Sequence, residues 1–339
     1  MIYAPIMIIT LNRSRHLKEC IESLQRNGWA KYTELYISVD FPPSEKYMKG
    51  YLEIKKYLNK KIEGFKKVNV IFQKKNLGPY ENARFLEALI YKTHDRIIIL
   101  EDDNYLAPAF IEYCDRALEK YEENDKVLGI CGSNYVWCGA GFKAKGKREV
   151  GANENNVYLS NLVWHGTAIW EKKHRLIYDY CSNEKCYKDS INISKMVKLY
   201  KTSNSFFYSY LDRVIFSNQC KLPWNNGKLY PIDFIWDIYM LINEKYVLCP
   251  VNSLVKDNGM DGSGVNFDFK ADNNEEIQNN YLEEAETYEI SQAEELRIDT
   301  KELEYHDRYG NYAKRTKIKL IIKYILYYLK NLFLNNTNG

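Results

Sequence analysis

Three adjacent carboxylates follow an apolar run, and of all residues in this chain they are the best suited to chemistry. Residues 97–103 read Ile-Ile-Ile-Leu-Glu-Asp-Asp. Such a run is typical of a strand buried in a parallel sheet, and open sheets of this kind bind ligands at the carboxyl ends of their strands. Glu101, Asp102 and Asp103 repel one another unless a cation offsets their charge, and their oxygens suit Mg²⁺ or Mn²⁺. A solvated acidic turn is the alternative interpretation.

The segments around these acids alternate between strand and helix patterns. Strands are predicted at 3–10, 34–39, 68–73 and 96–101, and helices at 14–26, 45–63 and 80–92. In the first helix, apolar residues recur at helical spacing and Ser14 is a candidate N-cap. The alternation predicts a doubly wound α/β fold with a parallel sheet and right-handed crossovers.

Polar residues follow each predicted strand. They are Thr10, Asn12 and Arg13 after the first, Asp40 after the second, Asn76 and Gly78 after the third, and Asp102 and Asp103 after the fourth. Any one of them alone is explained by a turn or a cap, most readily in the segment 76–79. Because parallel strands bring their carboxyl ends to one edge of the sheet, the whole set predicts a binding site there.

These motifs together resemble a known enzyme family. The pattern Ile-Ile-Thr-Leu-Asn-Arg, Ser-Val-Asp, Lys-Asn-Leu-Gly and Leu-Glu-Asp-Asp is similar to the nucleotide-sugar half of GT-A glycosyltransferases of family 2. The Glu-Asp-Asp form also resembles N-acetylglucosaminyltransferase I. The likeness covers residues 3–135 and extends more thinly to around residue 266. It implies a GT-A, Rossmann-like, mostly parallel sheet flanked by helices, and sugar transfer from a nucleotide diphosphate sugar with Mn²⁺ or Mg²⁺.

The resemblance also implies roles for single residues. Asp103 would bind the metal directly, and Asp102 and Glu101 would contact ribose, a metal-bound water or the backbone. Glu101 stands where the family has Asp, which leaves its role open. The residues that would lie beside the nucleotide are Thr10, Asn12, Arg13, Asp40, Asn76 and Gly78.

The second half of the chain contains candidate acceptor-binding residues. The rings of Trp164, His165 and Trp170 could stack on a sugar or pack in the core. Residues 234–238 place Asp237 between bulky apolar residues, where an acid is costly to bury without a role or partners. This segment resembles the Trp-Asp stretch of the same transferases, which implies that Asp237 is the catalytic base. A helix N-cap or a buried ion pair is the alternative.

A glycine-rich acidic segment lies at residues 257–264. An EF-hand loop would need an oxygen ligand at its third position and Glu at its twelfth, but Gly259 and Asp268 stand there. We therefore predict a loop that orders over a bound diphosphate, since glycines let backbone amides approach phosphate oxygens. A plain surface loop is the alternative.

Composition sets outer limits on the class of protein. A chain of 339 residues with 45% hydrophobic residues predicts one large domain or two intimate ones. A net charge of +3 gives no indication of nucleic-acid binding. The eight cysteines lack a paired metal-binding pattern, which favours reduced, mostly buried thiols in a cytosolic protein. The first residues enter a strand directly, so no signal peptide is expected.

The sign of the charge changes twice beyond residue 270. The predicted organisation is a nucleotide-sugar-binding half at 1–135, an acceptor-binding half of the same catalytic domain at 136–270, an acidic connection at 271–313 and a basic amphipathic tail at 314–339. In the tail, Lys319, Lys323 and Lys330 fall on one helical face. This favours a helix lying on an anionic membrane surface over a spanning helix. Packing on the catalytic domain or on a second subunit is the alternative.

Taken together, the sequence predicts a metal-dependent, inverting transferase of hexosyl or N-acetylhexosaminyl groups. Its acceptor would be a carbohydrate or a lipid-linked hydroxyl in surface polysaccharide or glycan synthesis, and the protein would be cytoplasmic and peripheral on the inner membrane face. A nucleotidyltransferase is disfavoured because the turn after Thr10 lacks phosphate-gripping glycines. A non-catalytic nucleotide- or carbohydrate-binding protein on the same fold remains the other alternative.

Overall fold

The computed structural model places the chain in two compact units. The described residues are 1–133, 157–161, 165–182, 188–216, 232–259, 261, 263, 284, 286–290, 298, 307 and 312–336. The first unit comprises residues 1–173 and 246–298, and the second comprises residues 174–245 and 299–339. Trp164 lies outside the described residues, and so does most of the acidic connection.

The strands of the first unit form where β-branched and apolar residues cluster. They are β1 (Ile6–Thr10), β2 (Glu34–Val39), β3 (Lys67–Phe72), β4 (Arg96–Glu101), β5 (Asn104–Leu106), β6 (Val127–Cys131), β7 (Val157–Ser160), β8 (Thr167–Trp170), β9 (Tyr246–Pro250) and β10 (Val255–Asp257). The four strands predicted before the acids are β1 to β4, and each matches within a few residues.

Eight of these strands form one mixed, mostly parallel sheet in the order β3-β2-β1-β4-β8-β6-β9-β7. Strand β1 is central to the predicted part, because it pairs in parallel with both β2 and β4. The carboxyl ends of these strands therefore meet at one edge. Strand β8 runs antiparallel to both β4 and β6, an insertion that strand–helix alternation does not predict. Strands β5 and β10 form a separate antiparallel pair.

The helices flank this sheet or build the second unit. They are α1 (Ser14–Gln25), α2 (Met48–Leu58), α3 (Pro79–Ile90), α4 (Phe110–Tyr121), α5 (Glu171–Ser182), α6 (Ile193–Thr202), α7 (Asn204–Ser209), α8 (Ile232–Asn243) and α9 (Lys314–Asn336). The predicted apolar face of α1 is confirmed: Leu17, Cys20, Ile21 and Leu24 are all fully buried. Among the described residues, no helix has the length and apolar character needed to cross a bilayer.

Two local predictions about the helices are wrong. Ser14 is the first residue of α1 and not its N-cap, because Arg13 takes that position without a capping side chain. The Ser14 hydroxyl instead donates to Glu53 Oε2 at 2.7 Å. The helix predicted at 45–63 extends only over α2, since a short 3₁₀ turn precedes it and the chain then reaches Gly64 at φ 91°, a conformation that favours glycine.

The core of the first unit lies between the sheet and its helices. Four described cysteines, Cys20, Cys114, Cys131 and Cys249, are buried and take part in no disulfide. Trp170 is 1% exposed and carries the Lys173 ammonium 3.9 Å above its ring centroid. Of the two interpretations of Trp170, core packing is therefore the one the structure supports, because a buried ring cannot stack on an incoming sugar.

Helices α6 to α9 and most of α5 form the second unit. Side chains cap the N-termini of α6 and α7. The Asn192 side chain accepts from the Lys195 N–H, and the Ser203 hydroxyl accepts from the Phe206 N–H. Asp237 lies inside α8, one turn beyond its start. This position excludes the N-cap interpretation of Asp237.

Candidate functional site

Two adjacent carboxylates at the end of β4 share one cationic partner. The Arg13 guanidinium donates through Nη2 to Asp102 Oδ1 and through Nη1 to Asp103 Oδ2, the latter at 2.6 Å. The hydroxyl of Thr10 donates to the other oxygen of Asp102 at 2.6 Å. Because β1 and β4 are neighbours in the sheet, residues 90 positions apart meet at one edge. The structure thus brings together four of the predicted site residues.

Burial strengthens the electrostatics of this acid pair. Asp102 is 3% exposed and Asp103 is 6% exposed. Burial raises the pKa of Asp102, while the charge of Arg13 and the Thr10 hydrogen bond oppose that rise. Burial would lower the pKa of Arg13, but the two carboxylates outweigh it and raise that pKa, so the guanidinium stays charged. The result is a buried anionic site held by one positive group.

Strand β10 brings a third carboxylate to the same place. In the β5–β10 pair Asp257 lies opposite Asn104, and the Asn258 N–H donates to the Asp103 carbonyl oxygen at 3.0 Å. Gly259 follows directly. A Cβ added to Gly259 would lie 2.2 Å from Asp103 Oδ2 and 3.1 Å from Asp257 Oδ1. Both carboxylates therefore face the small space that only glycine leaves open.

An imidazole completes the acidic cluster. His165 Nε2 lies 3.5 Å from Asp257 Oδ2. Burial lowers the pKa of His165, but the surrounding carboxylates, Asp257 first, outweigh that effect and raise it. Gly166 follows at φ 71°, and a Cβ there would clash with Val255 and Phe110. The close approach of this turn to β10 places the imidazole beside the acids.

Helix α1 holds the segment that follows β10. Arg15 Nη2 donates to Asp261 Oδ2 at 2.9 Å. The Nε2 atom of the buried His16 lies 3.2 Å from the same carboxylate and 3.2 Å from the Asn258 carbonyl oxygen. The first turn of α1 thus contacts both the acid pair, through Arg13, and the glycine-rich segment that crosses it.

At the end of β2, Asp40 organises a neighbouring loop. Its Oδ1 accepts the N–H groups of Phe41 and Leu77, each at 2.9 Å, and its Oδ2 accepts the Gly78 N–H at 2.8 Å. The Asn76 amide donates to the same Oδ2 at 3.1 Å. Four neutral donors thus hold the carboxylate, and Gly78 at φ 79° starts α3.

Three predicted site residues take no part in the hydrogen bonds described above, although the charge of Glu101 helps to raise the pKa of His165. Glu101 ends β4 with an exposed side chain, and its N–H donates to Asn104 Oδ1. Asn12 lies in the turn after β1, where its carbonyl oxygen packs against Gly50 of α2 so closely that a Cβ there would be 2.0 Å away. Asp237 belongs to the second unit, and its proposed part in catalysis remains a prediction.

The cluster can be compared with the needs of a divalent cation. Within the described residues, no three His, Cys, Asp or Glu side chains converge as a complete metal cage. Two carboxylates, Asp103 and Asp257, nonetheless border the space above Gly259, and Arg13 already holds a positive charge against Asp103. Hard oxygen donors of this kind suit Mg²⁺ or Mn²⁺, which keep further positions for phosphate and water. The residues present fit such an ion.

Asp257, His165 and His16 belong to the cluster, although motif reasoning did not assign them to it. The sequence placed Asp257 at the start of a glycine-rich loop and His165 among aromatic residues. The sequence did not predict that β10 pairs with β5. These two strands have three residues each and lie about 150 positions apart in the chain. Such short strands carry almost no periodicity, so their pairing leaves no local signal.

Comparison with known proteins gives partial likenesses. No protein family and no curated protein matches the chain. The crystal structure of S. aureus TarS is similar at TM-score 0.33 and 12% identity, over 51% of this chain and 29% of that chain. S. aureus TarS 1–349 in complex with UDP gives the same score and identity, over 51% and 49%. The chain thus spans less than half of either TarS chain.

A third solved structure is the mannosyltransferase PcManGT from Pyrobaculum calidifontis in complex with GDP-Man and Mn²⁺. Its TM-score is 0.36 at 9% identity, over 71% of this chain and 70% of that chain. At such low scores and identities, none of these likenesses carries a conclusion about the activity of this chain.

Proposed function

We propose that the protein is a glycosyltransferase with a GT-A fold. It would move a hexosyl or N-acetylhexosaminyl group from a nucleotide diphosphate sugar to a hydroxyl of a carbohydrate or lipid-linked acceptor, in surface polysaccharide or glycan synthesis. The observation that carries the proposal is the buried acid pair Asp102–Asp103 at the carboxyl edge of a mostly parallel sheet, held by a single cation. Open α/β sheets bind their ligands at this edge.

In this proposal the first unit binds the donor. Asp103 and Asp257 would hold Mn²⁺ or Mg²⁺, which when bound would neutralise the charge that develops on the leaving diphosphate. Arg13, 20% exposed along its side chain, is placed to bind an anionic group beside the acids. Asp102, fixed by Thr10 and Arg13, would accept from a ribose hydroxyl or orient the ion.

The remaining nucleotide contacts are proposed from the two neighbouring strand ends. Asn12 follows β1, and the loop with Asn76 and Gly78 is held in place by Asp40. Since Asp40 already accepts four hydrogen bonds, we assign it the positioning of that loop, which would border the base or ribose. Glu101, at the exposed rim, would contact a metal-bound water.

Asp237 is the proposed general base of the reaction. A carboxylate that removes the proton of the acceptor hydroxyl allows direct attack on the anomeric carbon and inverts its configuration. The half-buried Asp237 follows the buried Trp236 on α8, a setting in which an acid is costly to keep without a role or partners. We place the enzyme in the cytoplasm, peripheral on the inner membrane face; the exposed apolar and basic side chains of α9 support contact with a membrane surface.

A screen of nucleotide sugars tests the proposed function. The donor should raise the thermal stability of the protein in Mn²⁺ and undergo Mn²⁺-dependent hydrolysis or transfer. Asp237→Asn should abolish transfer while donor affinity stays within about threefold, because the base acts on the acceptor. Nucleoside diphosphate binding without any turnover would instead indicate a non-catalytic binding protein. Release of pyrophosphate from a nucleoside triphosphate would indicate a nucleotidyltransferase.

A further inference from the structure

Helix α9 is attached to the second unit by one narrow side. Leu320 and Asn331 are 4% and 8% exposed, and the Tyr324 hydroxyl donates to the Ser190 carbonyl oxygen at 2.8 Å. The Tyr327 hydroxyl lies 3.1 Å from Ser190 Oγ. At 100° per residue these α9 positions fall within about 60° of one another. The docked side fixes the helix on the protein surface along its length.

The opposite side of α9 is apolar and exposed. Six isoleucines and leucines are 42% to 62% exposed: Ile318, Ile322, Ile325, Leu326, Leu329 and Leu332. On a helical projection they cover about 120°. We call this set the apolar face of α9. Monomeric soluble proteins rarely display so many large aliphatic side chains together, so a contiguous face of this kind indicates a binding surface.

A row of positive charge borders the apolar face. Lys319, Lys323 and Lys330 are exposed and fall within about 40° of one another, between the apolar face and the docked side. Over residues 314–336 the helix has six basic residues and no acidic one. Within the described part of the chain, no carboxylate forms a salt bridge with these three lysines. The Lys323 ammonium lies 5.7 Å from the ring centroid of Phe216, a contact that leaves its positive charge in place.

We propose that the apolar face of α9 binds the surface of an anionic lipid bilayer, with the helix lying in the plane of the membrane. Apolar area flanked by exposed lysines is complementary to acyl chains beside anionic headgroups. Because the docked side stays on the second unit, only the apolar face and the lysine row are free for lipid. This membrane contact rests on the peripheral location proposed above and specifies its surface, but it does not depend on sugar transfer, since no residue of the acid cluster takes part.

Vesicle co-sedimentation of the full chain tests this surface. The protein should bind vesicles of phosphatidylcholine with 30% phosphatidylglycerol and bind pure phosphatidylcholine at least about tenfold more weakly, with a strong dependence on salt. The double variant Ile322→Asn/Leu326→Asn should lose binding to both. The triple variant Lys319→Gln/Lys323→Gln/Lys330→Gln should lose about tenfold or more on anionic vesicles only.

A matched control comes from α6 in the same unit. Its exposed Ile193 and Val197 also form a short apolar stripe, but Ile193→Asn/Val197→Asn should leave vesicle binding unchanged. Circular dichroism and thermal melts establish that each variant is folded. Full-chain protein that ignores anionic vesicles overturns the proposal. So does a dimer, seen by analytical ultracentrifugation, that the Ile322→Asn/Leu326→Asn variant splits, because the face would then bind a second copy.

Discussion

Strands β2 and β4 both end in acidic residues at the same edge of the sheet. The carboxylates at the two strand ends are stabilised in different ways. At the end of β2, neutral donors surround Asp40, and most of them come from the loop between β3 and α3. At the end of β4, Asp102 and Asp103 share one guanidinium and lie against a third carboxylate. The Asp40 carboxylate is held by neutral N–H groups alone. The acid pair depends on a cation.

This difference distinguishes a structural carboxylate from a ligand-binding one, a distinction that the residue type alone does not give. A carboxylate that accepts four neutral hydrogen bonds stabilises a loop and has little capacity left for a ligand. A pair of carboxylates held by one partly exposed arginine could exchange that cation for another, or for a metal with its phosphates. The acid pair is therefore the place to look for chemistry, and Asp40 is its supporting neighbour.

The largest expected effect comes from Asp103→Asn. This variant removes the charge that faces Gly259 and should lower turnover by about a hundredfold or more, because a metal stabilises several kcal/mol of developing charge. Stabilisation of the protein by Mn²⁺ in thermal melts should also disappear. The exposed Asp125→Asn is the control and should leave both unchanged. Normal metal-dependent turnover in Asp103→Asn would place the site elsewhere.

The next effect tests whether the β4 end needs its cation. Arg13→Gln leaves two buried carboxylates without a partner, which should lower the free energy of unfolding in EDTA by about 3 kcal/mol. Adding Mn²⁺ should recover part of that loss, since a divalent ion can replace the guanidinium. Arg15→Gln is the matched control, because its exposed pair with Asp261 contributes about 1 kcal/mol at most. If Arg13→Gln and the parent protein had the same free energy of unfolding, Asp102 and Asp103 would not both be ionised in the folded protein.

A smaller effect is expected at the β2 end. Asp40→Ala leaves the N–H groups of Leu77 and Gly78 without their acceptor, which should cost about 2 kcal/mol in urea unfolding. Asp40→Asn keeps one acceptor oxygen and should lose about half as much. Mn²⁺ binding should persist in both variants. If stability were unchanged while donor affinity collapsed, Asp40 would contact the donor directly.

Local patterns made part of this molecule predictable. Strands β1 to β4 are short apolar runs bounded by polar turns, and α1 has one clear apolar face, so both types of element can be read from neighbouring residues. The same reasoning placed Thr10, Arg13, Asp102 and Asp103 at one edge, because parallel strands of a doubly wound sheet share that edge.

Non-local pairing made the rest unpredictable. Strand β8 enters the sheet antiparallel between β4 and β6, and nothing in its four residues specifies those neighbours. The approach of Asp257 and Gly259 to Asp103 depends on the β5–β10 pairing in the same way. Tyr288, in the segment expected to be a solvated connection, is 7% exposed and packs edge-on against Tyr113. The acidic composition around this single aromatic residue predicts a solvated segment, so the buried contact of Tyr288 could not be predicted from it.

The smallest effect concerns a buried acid that forms one hydrogen bond and, among the described residues, no salt bridge, although the charge of Arg96 partly offsets the effect of burial on its pKa. Asp115 on α4 is fully buried and accepts the Ala4 N–H at 2.9 Å through Oδ1, while Oδ2 has no hydrogen-bond partner in the described part of the chain. Burial raises its pKa to about 7. The unfolded carboxyl ionises near its ordinary 3.8, so between that pH and 7 the unfolded chain binds fewer protons and stability falls as pH rises.

Asp115→Asn should flatten this part of the pH profile. A shift of about three units sets an upper limit of about 4 kcal/mol by linkage. Relaxation that admits water to the ionised group reduces it, and we expect the parent to lose about 1 kcal/mol more than the variant between pH 4.5 and pH 8. Urea unfolding at both pH values measures the difference, with Asp125→Asn as the exposed control. An unchanged slope in Asp115→Asn would mean that the carboxyl is already ionised in the fold. The core would then stabilise a buried, ionised Asp115 through hydrogen bonds alone, as the β2 end stabilises Asp40. The need for a cation at the β4 end would then come from the pairing of Asp102 with Asp103 and not from burial.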